Sequence, residues 1–140
     1  MKVEFSLPVK PVPLKRHRTS FVKGKMINYD PSIKDKNKIK LLSTKYIPKK
    51  ILIKPVLMEI KFYITRPKSH YRTGKYKHLL KNSAPKYHTS TPDLSNLVKL
   101  IEDAYNGFLY KDDSQIIETR AIKLYTEGEP SIKIIVEELL

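Results

Sequence analysis

Apolar and polar residues alternate over Val3-Glu4-Phe5-Ser6-Leu7, the two-residue period of a strand with one buried face, and Pro8 ends it. Pro8, Pro11 and Pro13 then hold the chain extended into a basic loop, Lys15-Arg16-His17-Arg18. Asp30-Pro31 predicts a helix start, with Asp30 as N-cap and Pro31 at the first helical position. An imperfect stripe through Ile33, Ile39, Leu41, Leu42 and Tyr46 carries that helix to about Ile47, where Pro48 stops it. Val56 to Ile64 predicts a strand, apolar on Val56, Met58, Ile60 and Phe62 with a part-apolar opposite face, ended by Pro67.

From Arg66 to Pro92 no period holds, and a structureless stretch of that length in a compact domain is most often functional or disordered. The next helix is the best defined. Thr91 is its expected cap, Pro92 takes the first position, and Asp93 complements the helix dipole. Leu94, Leu97, Leu100, Ile101, Ala104 and Tyr105 fall on one arc; Ser95, Asn96, Lys99, Glu102 and Asp103 fall on the other. Asn106-Gly107 supplies the stop. Gln115 to Tyr125 and Ser131 to Val136 predict two antiparallel strands joined at 126–130. The expectation is a mixed α/β fold, roughly β-α-β-α-β-β, in a single domain over residues 1–140.

The composition adds a direction. Cysteine is absent, which removes disulfides and thiolate zinc sites. No apolar run reaches the ~18 residues of a membrane span and no signal-peptide core is visible, so a soluble, cytoplasmic protein with no membrane partner is expected. The net charge is +14, and its distribution is uneven. Residues 1–92 carry 23 Lys and Arg against four acids, whereas residues 93–140 carry five against ten. A basic body attracts polyanions, because each cation that neutralises a phosphate releases condensed counterions. DNA-binding candidates are Lys15, Arg16 and Arg18 in the first loop, with Arg66, Lys68, Arg72, Lys75, Lys77, Lys81 and Lys86 in the second. Tyr71, Tyr76, Tyr87, His70, His78 and His88 interleave with the second set, as rings that stack on unpaired bases would. The bland alternative is a solvated, lysine-rich surface.

Carboxylates repel phosphate unless a cation stands between them. Asp93 at a helix start and Asp112-Asp113 in the turn after that helix are candidate ligands for Mg²⁺ or Mn²⁺, provided that the chain after Gly107 runs back along the helix in extended form. Taken singly they have structural explanations: Asp93 as a dipole partner, Asp112-Asp113-Ser114 as an Asx turn, Asp103 as a solvated residue or partner of Lys99. The histidines lack metal-ligand spacing, and there is no P-loop, dinucleotide fingerprint or nucleophile elbow.

The stretch Thr91-Pro92-Asp93-Leu94-Ser95-Asn96-Leu97-Val98-Lys99 with Asp103-Ala104, followed by Tyr110-Lys111-Asp112-Asp113-Ser114-Gln115-Ile116, resembles the RusA family of Holliday-junction resolvases. That family shows a D-x-D-N-L-x-K helix start, then D-A-L and an aromatic-x-D-D-x-Q-[VI] turn. The match covers about residues 91–123, and the proline-rich exit of the first strand and Lys123 also suit the layout. The resemblance implies a homodimeric mixed α/β fold, Mg²⁺ held by carboxylates, and paired symmetric nicks at a four-way DNA junction in recombination and repair. It carries metal-ligand roles to Asp93 and Asp113 with Asp112 adjacent, and a phosphate-contacting role to Lys99; Asn96 matches the family Asn. One position departs: Ser95 stands where the family has its second acid. Ser95 acting through a water, Asp103 substituting for it, and a weakened, branched-DNA-binding protein are the open alternatives.

Overall fold

The computed structural model describes residues 1–140 throughout. Six strands and two helices follow in the order β1 (Lys2–Leu7), β2 (Arg18–Val22), β3 (Lys25–Tyr29), α1 (Ile33–Ser43), β4 (Val56–Thr65), α2 (Leu94–Tyr105), β5 (Ile116–Thr126) and β6 (Ser131–Glu138). The expected β-α-β-α-β-β order holds, with a β2–β3 hairpin added where a basic loop was expected.

β1, β6, β4 and β5 lie side by side in that order. β6 pairs antiparallel with both β1 and β4, and β5 runs parallel to β4. β5 and β6 therefore run antiparallel, as expected, but they are not neighbours, because β4 lies between them. The physical reason is burial. The inward residues Val56, Met58, Ile60 and Phe62 of β4 are all at most 1% exposed, which demands neighbours on both edges. Phe5 and Leu7 of β1 and Ile132, Ile134 and Val136 of β6 join them on the same face. Both helices cover that face, and the opposite face holds half-exposed and polar residues, including a Lys133–Glu4 ion pair at 2.8 Å.

α2 buries Leu97, Leu100, Ile101, Ala104 and Tyr105, the arc its spacing predicts. Its N-cap is Asp93 rather than Thr91, and the Asp93 side chain makes no capping bond. α1 is shorter than its stripe suggested. Ser32 is its N-cap; Asp30 instead accepts a hydrogen bond from the Ser32 amide and pairs with Lys36 at 2.7 Å. The helices are joined by one buried polar contact, where Ser43 Oγ donates to Ile39 O and lies 2.7 Å from Tyr105 Oη. Burial pushes the Tyr105 phenol up, so it stays a neutral partner for Ser43.

Residues 66–93 contain only two short 3-10 turns, Lys68–His70 and Gly74–Tyr76. The segment is nonetheless fastened. Arg72 N donates to Leu79 O and Lys81 N to His70 O, while His88 N and Tyr125 N bind the facing carbonyls of Lys123 and Lys86. The outer edge of β5 is thereby paired around Leu124. No helix is long and apolar enough to cross a membrane.

Candidate active site and nucleic-acid interface

α2 exposes a polar strip toward β5. Leu94, Ser95, Val98, Lys99 and Glu102 line one wall of an open groove, and Thr119 and Ala121 of β5 line the other. The spacing explains the strip: positions 95, 99 and 102 repeat at four and three residues, so they stack along one side of the helix. Lys99 makes no hydrogen bond or ion pair within the protein, so its ammonium is available to a ligand.

Glu102 has a less favourable setting. Burial raises its carboxyl above the ordinary range, and the nearby charges of Asp113 and Asp103 add to the shift, while Thr119 and Lys99 oppose it. Beneath it, the buried Tyr110 donates its phenol proton to Glu102 O at 2.6 Å. Burial and the same acids keep that phenol protonated.

The Asp112–Gln115 segment forms a reciprocal cap. Asp112 accepts from the Ser114 amide at 3.1 Å, and the Ser114 hydroxyl, then that amide, hold its carboxyl below the usual range, while Gln115 Oε1 accepts from the Asp112 amide. Gln115 Nε2 also donates to Leu52 O and Lys54 O, pinning the turn to the chain before β4. Asp112 is thus occupied locally. Asp113 is exposed, and its side chain has no partner.

The three aspartates are not drawn into one metal-binding group. No three Asp, Glu or His side chains lie close enough together to hold a metal ion. Asp93 lines a separate groove, with Lys10 to Pro13 of the proline-rich exit and Asn96. Asp113 acts on Glu102, nine positions further along α2, or ~13 Å at 1.5 Å per residue. The cause lies after Gly107. Phe108 and Leu109 donate back to Tyr105 O and Gly107 N to Tyr110 O, a tight curl where an extended return was expected. The curl returns the 113–115 turn to the side of α2.

Asn96 anchors the proline-rich exit, its carbonyl accepting from Leu14 N at 3.0 Å. Asp103 turns toward α1, 4.0 Å from Lys36, and away from the groove that holds Ser95. Lys123, on the helix-facing side of β5, donates to Ser90 O and Pro92 O and so fixes the approach to α2. Glu102 was placed on the polar face by its spacing but not singled out. Its distance of seven residues from Ser95 was the available signal, since that is two helical turns on the same side.

Of the expected DNA-contacting cations, Lys15, Arg16, Arg18, Lys68, Arg72, Lys75, Lys77, Lys81 and Lys86 are exposed. Arg72 also donates to Leu80 O, and Lys68, Arg72 and Lys77 share an open pocket with Tyr71. Arg66 is half-buried: it donates to Pro85 O and lies over the Tyr125 ring, clamping the loop to β5. His70 and His88 pack on the same ring. Those three are fasteners. Tyr76 and Tyr87 are exposed beside Lys75 and Lys86.

The parallel β4–β5 pair is bridged by a helix that carries one lysine and one carboxylate, Lys99 and Glu102, on its open side, in an otherwise basic protein. The RusA endodeoxyribonuclease model matches residues 8–137, nearly the whole chain, and the chain belongs to that family. It is also 32% identical over 139 residues to the Bacillus subtilis (strain 168) protein named "Uncharacterized protein YqaN", covering 98% of this chain and 96% of that protein.

Proposed function

We propose that this protein is an Mg²⁺- or Mn²⁺-dependent endonuclease that resolves four-way DNA junctions by paired nicks, working as a homodimer in the cytoplasm. The observation that carries the reading is the α2–β5 groove, where a free lysine and a carboxylate share a wall within the acidic part of a strongly basic chain. Membership of the RusA family supports the chemistry.

Lys99 is assigned to the scissile phosphate, whose developing charge an ammonium stabilises. Asp113 and Glu102 are the neighbouring acids, and Asp112 and Gln115 set the turn that presents Asp113. Asp93, Asp112 and Asp113 do not fit as one ligand set within a protomer. Mg²⁺ commonly keeps several waters and binds through one or two carboxylates, so a requirement for it does not demand three. Two sites related by a two-fold axis would match a junction of the same symmetry.

The test is a nicking assay on four-way, flap and linear duplex DNA, with Mg²⁺, Mn²⁺ or chelator. Asp113→Asn and Lys99→Ala are expected to abolish nicking and to leave junction binding within about threefold, since neither change removes more than one phosphate contact. Undiminished cutting by Asp113→Asn would refute its assignment. Asp93→Asn in parallel decides whether that remote carboxylate takes part.

A second reading is a branched-DNA-binding protein with weakened catalysis. Ser95 in place of the family's second acid and the scattered aspartates favour it. It predicts salt-dependent junction binding with no nicking at any divalent concentration.

A further inference from the structure

The β2–β3 hairpin buries nothing. Every residue from 18 to 29 is exposed, and only at Asp30, beyond the ribbon, does the chain become half-buried, so neither side of the ribbon faces the core. Its register nevertheless organises large apolar groups. Phe21 pairs with Met26 on one side; Ser20 pairs with Ile27 and Arg18 with Tyr29 on the other. Phe21 is 74% exposed and Met26 66%. Lys23 and Gly24 take positive φ angles of 51° and 77°, the mirror-image turn that suits strand twist, so the Phe21–Met26 pair lies one step behind the tip. The root is tied on both sides: Lys15 N donates to Ser32 Oγ, while Asp30 holds Lys36 and the Ser32 amide.

Apolar side chains gathered at the end of an anchored arm mark a surface that something covers. The charge identifies the partner. Lys15, Arg16, Arg18, Lys23 and Lys25 lie along the arm and its approach, and no acid occurs between Glu4 and Asp30. A second copy of the arm would set like charges against each other, whereas DNA supplies phosphate for the cations and a base face for the rings. An unbroken duplex offers no exposed base face. A branch point does.

We infer that the arm is a branch-point wedge: Phe21 and Met26 pack on the base pair left open where DNA arms separate, and the flanking cations hold the adjoining strands. Apolar wedges at base steps and aromatic stacking on unpaired bases are the matching interactions. The inference rests on the branched-DNA reading proposed above and adds the element that selects the branch.

The chain has no tryptophan, so Phe21→Trp gives a single emission reporter at the arm's tip. The experiment titrates the full-length protein, without divalent metal, against a four-way junction carrying 2-aminopurine at the branch and against linear duplex of the same length. Wild type is expected to raise 2-aminopurine emission, and Phe21→Trp to lose its own emission on the junction but not on duplex. Phe21→Ala/Met26→Ala is expected to weaken junction binding about tenfold, the scale of one or two lost stacking contacts, with duplex binding and Tm unchanged. Equal junction affinity and an undiminished 2-aminopurine signal in that double variant would overturn the wedge and leave the junction reading intact. A tryptophan signal that responds to protein concentration and not to DNA would also overturn it, by assigning the arm to a second copy. No preference for junction over duplex in the wild type would instead overturn the reading beneath it.

Discussion

Glu102 is half-buried beside two other acids, and the energetic sign of that placement can be worked out. Its carboxyl is raised above the ordinary value, so the folded protein binds a proton at pH values where the unfolded chain has released it. Stability then falls as pH rises from the ordinary carboxylate range through the raised folded value. Glu102→Gln is expected to be more stable than wild type at pH 7–8, with the gap closing toward pH 4, as read from urea midpoints across that range. A structural glutamate would leave DNA nicking unchanged in this variant; a working one would lose nicking while gaining stability. That opposition separates the two roles. Ser43 and Tyr105 show the converse case, a buried pair that satisfies itself. Tyr105→Phe removes it and is expected to cost about 0.5–1.5 kcal/mol in denaturant unfolding.

Elements were legible where one period dominated. The α2 arc from Leu94 to Tyr105 and the inward face of β4 follow directly from spacing, because burial on one side enforces the pattern. Leu97→Ala, at 0% exposure, is expected to cost about 2–5 kcal/mol, measured as a shift in urea midpoint. The β2–β3 hairpin was not legible. Phe21, Val22, Met26, Ile27 and Tyr29 are apolar on both sides of it, so no alternation marks a strand, and Lys23-Gly24 is a weaker turn signal than Asn-Gly. The antiparallel course of β5 and β6 was legible from their spacing, but their separation by β4 was not, because it follows from the burial that β4 demands on both edges. In the site, the Asp112–Gln115 turn was visible as a local motif. The Glu102–Asp113 proximity depends on the curl at Phe108–Leu109, which no local pattern announces.

At the scale of the whole molecule, charge divides the labour. The first 92 residues hold most of the cations, and the acids gather around α2, the turn after it and the last two strands. DNA binding is therefore expected to weaken steeply with salt, with log K falling by roughly 0.9 for each phosphate contact per decade of salt. Lys68→Ala and Lys77→Ala, on the open pocket of the long loop, are each expected to reduce that slope by about 1 without changing sequence preference. A slope unchanged by both would remove that loop from the interface.

The position of β6 between β1 and β4 has a consequence for how the protein comes into being. The earliest strand to leave a ribosome, β1, pairs only with the one made last among the strands, so its amides wait in water until residue 138 has emerged. Such late closure makes assembly comparatively slow, with nascent chains offering unpaired edges in the meantime. A ribosome stalled before β6 would hold a product that chaperones bind and proteases clear.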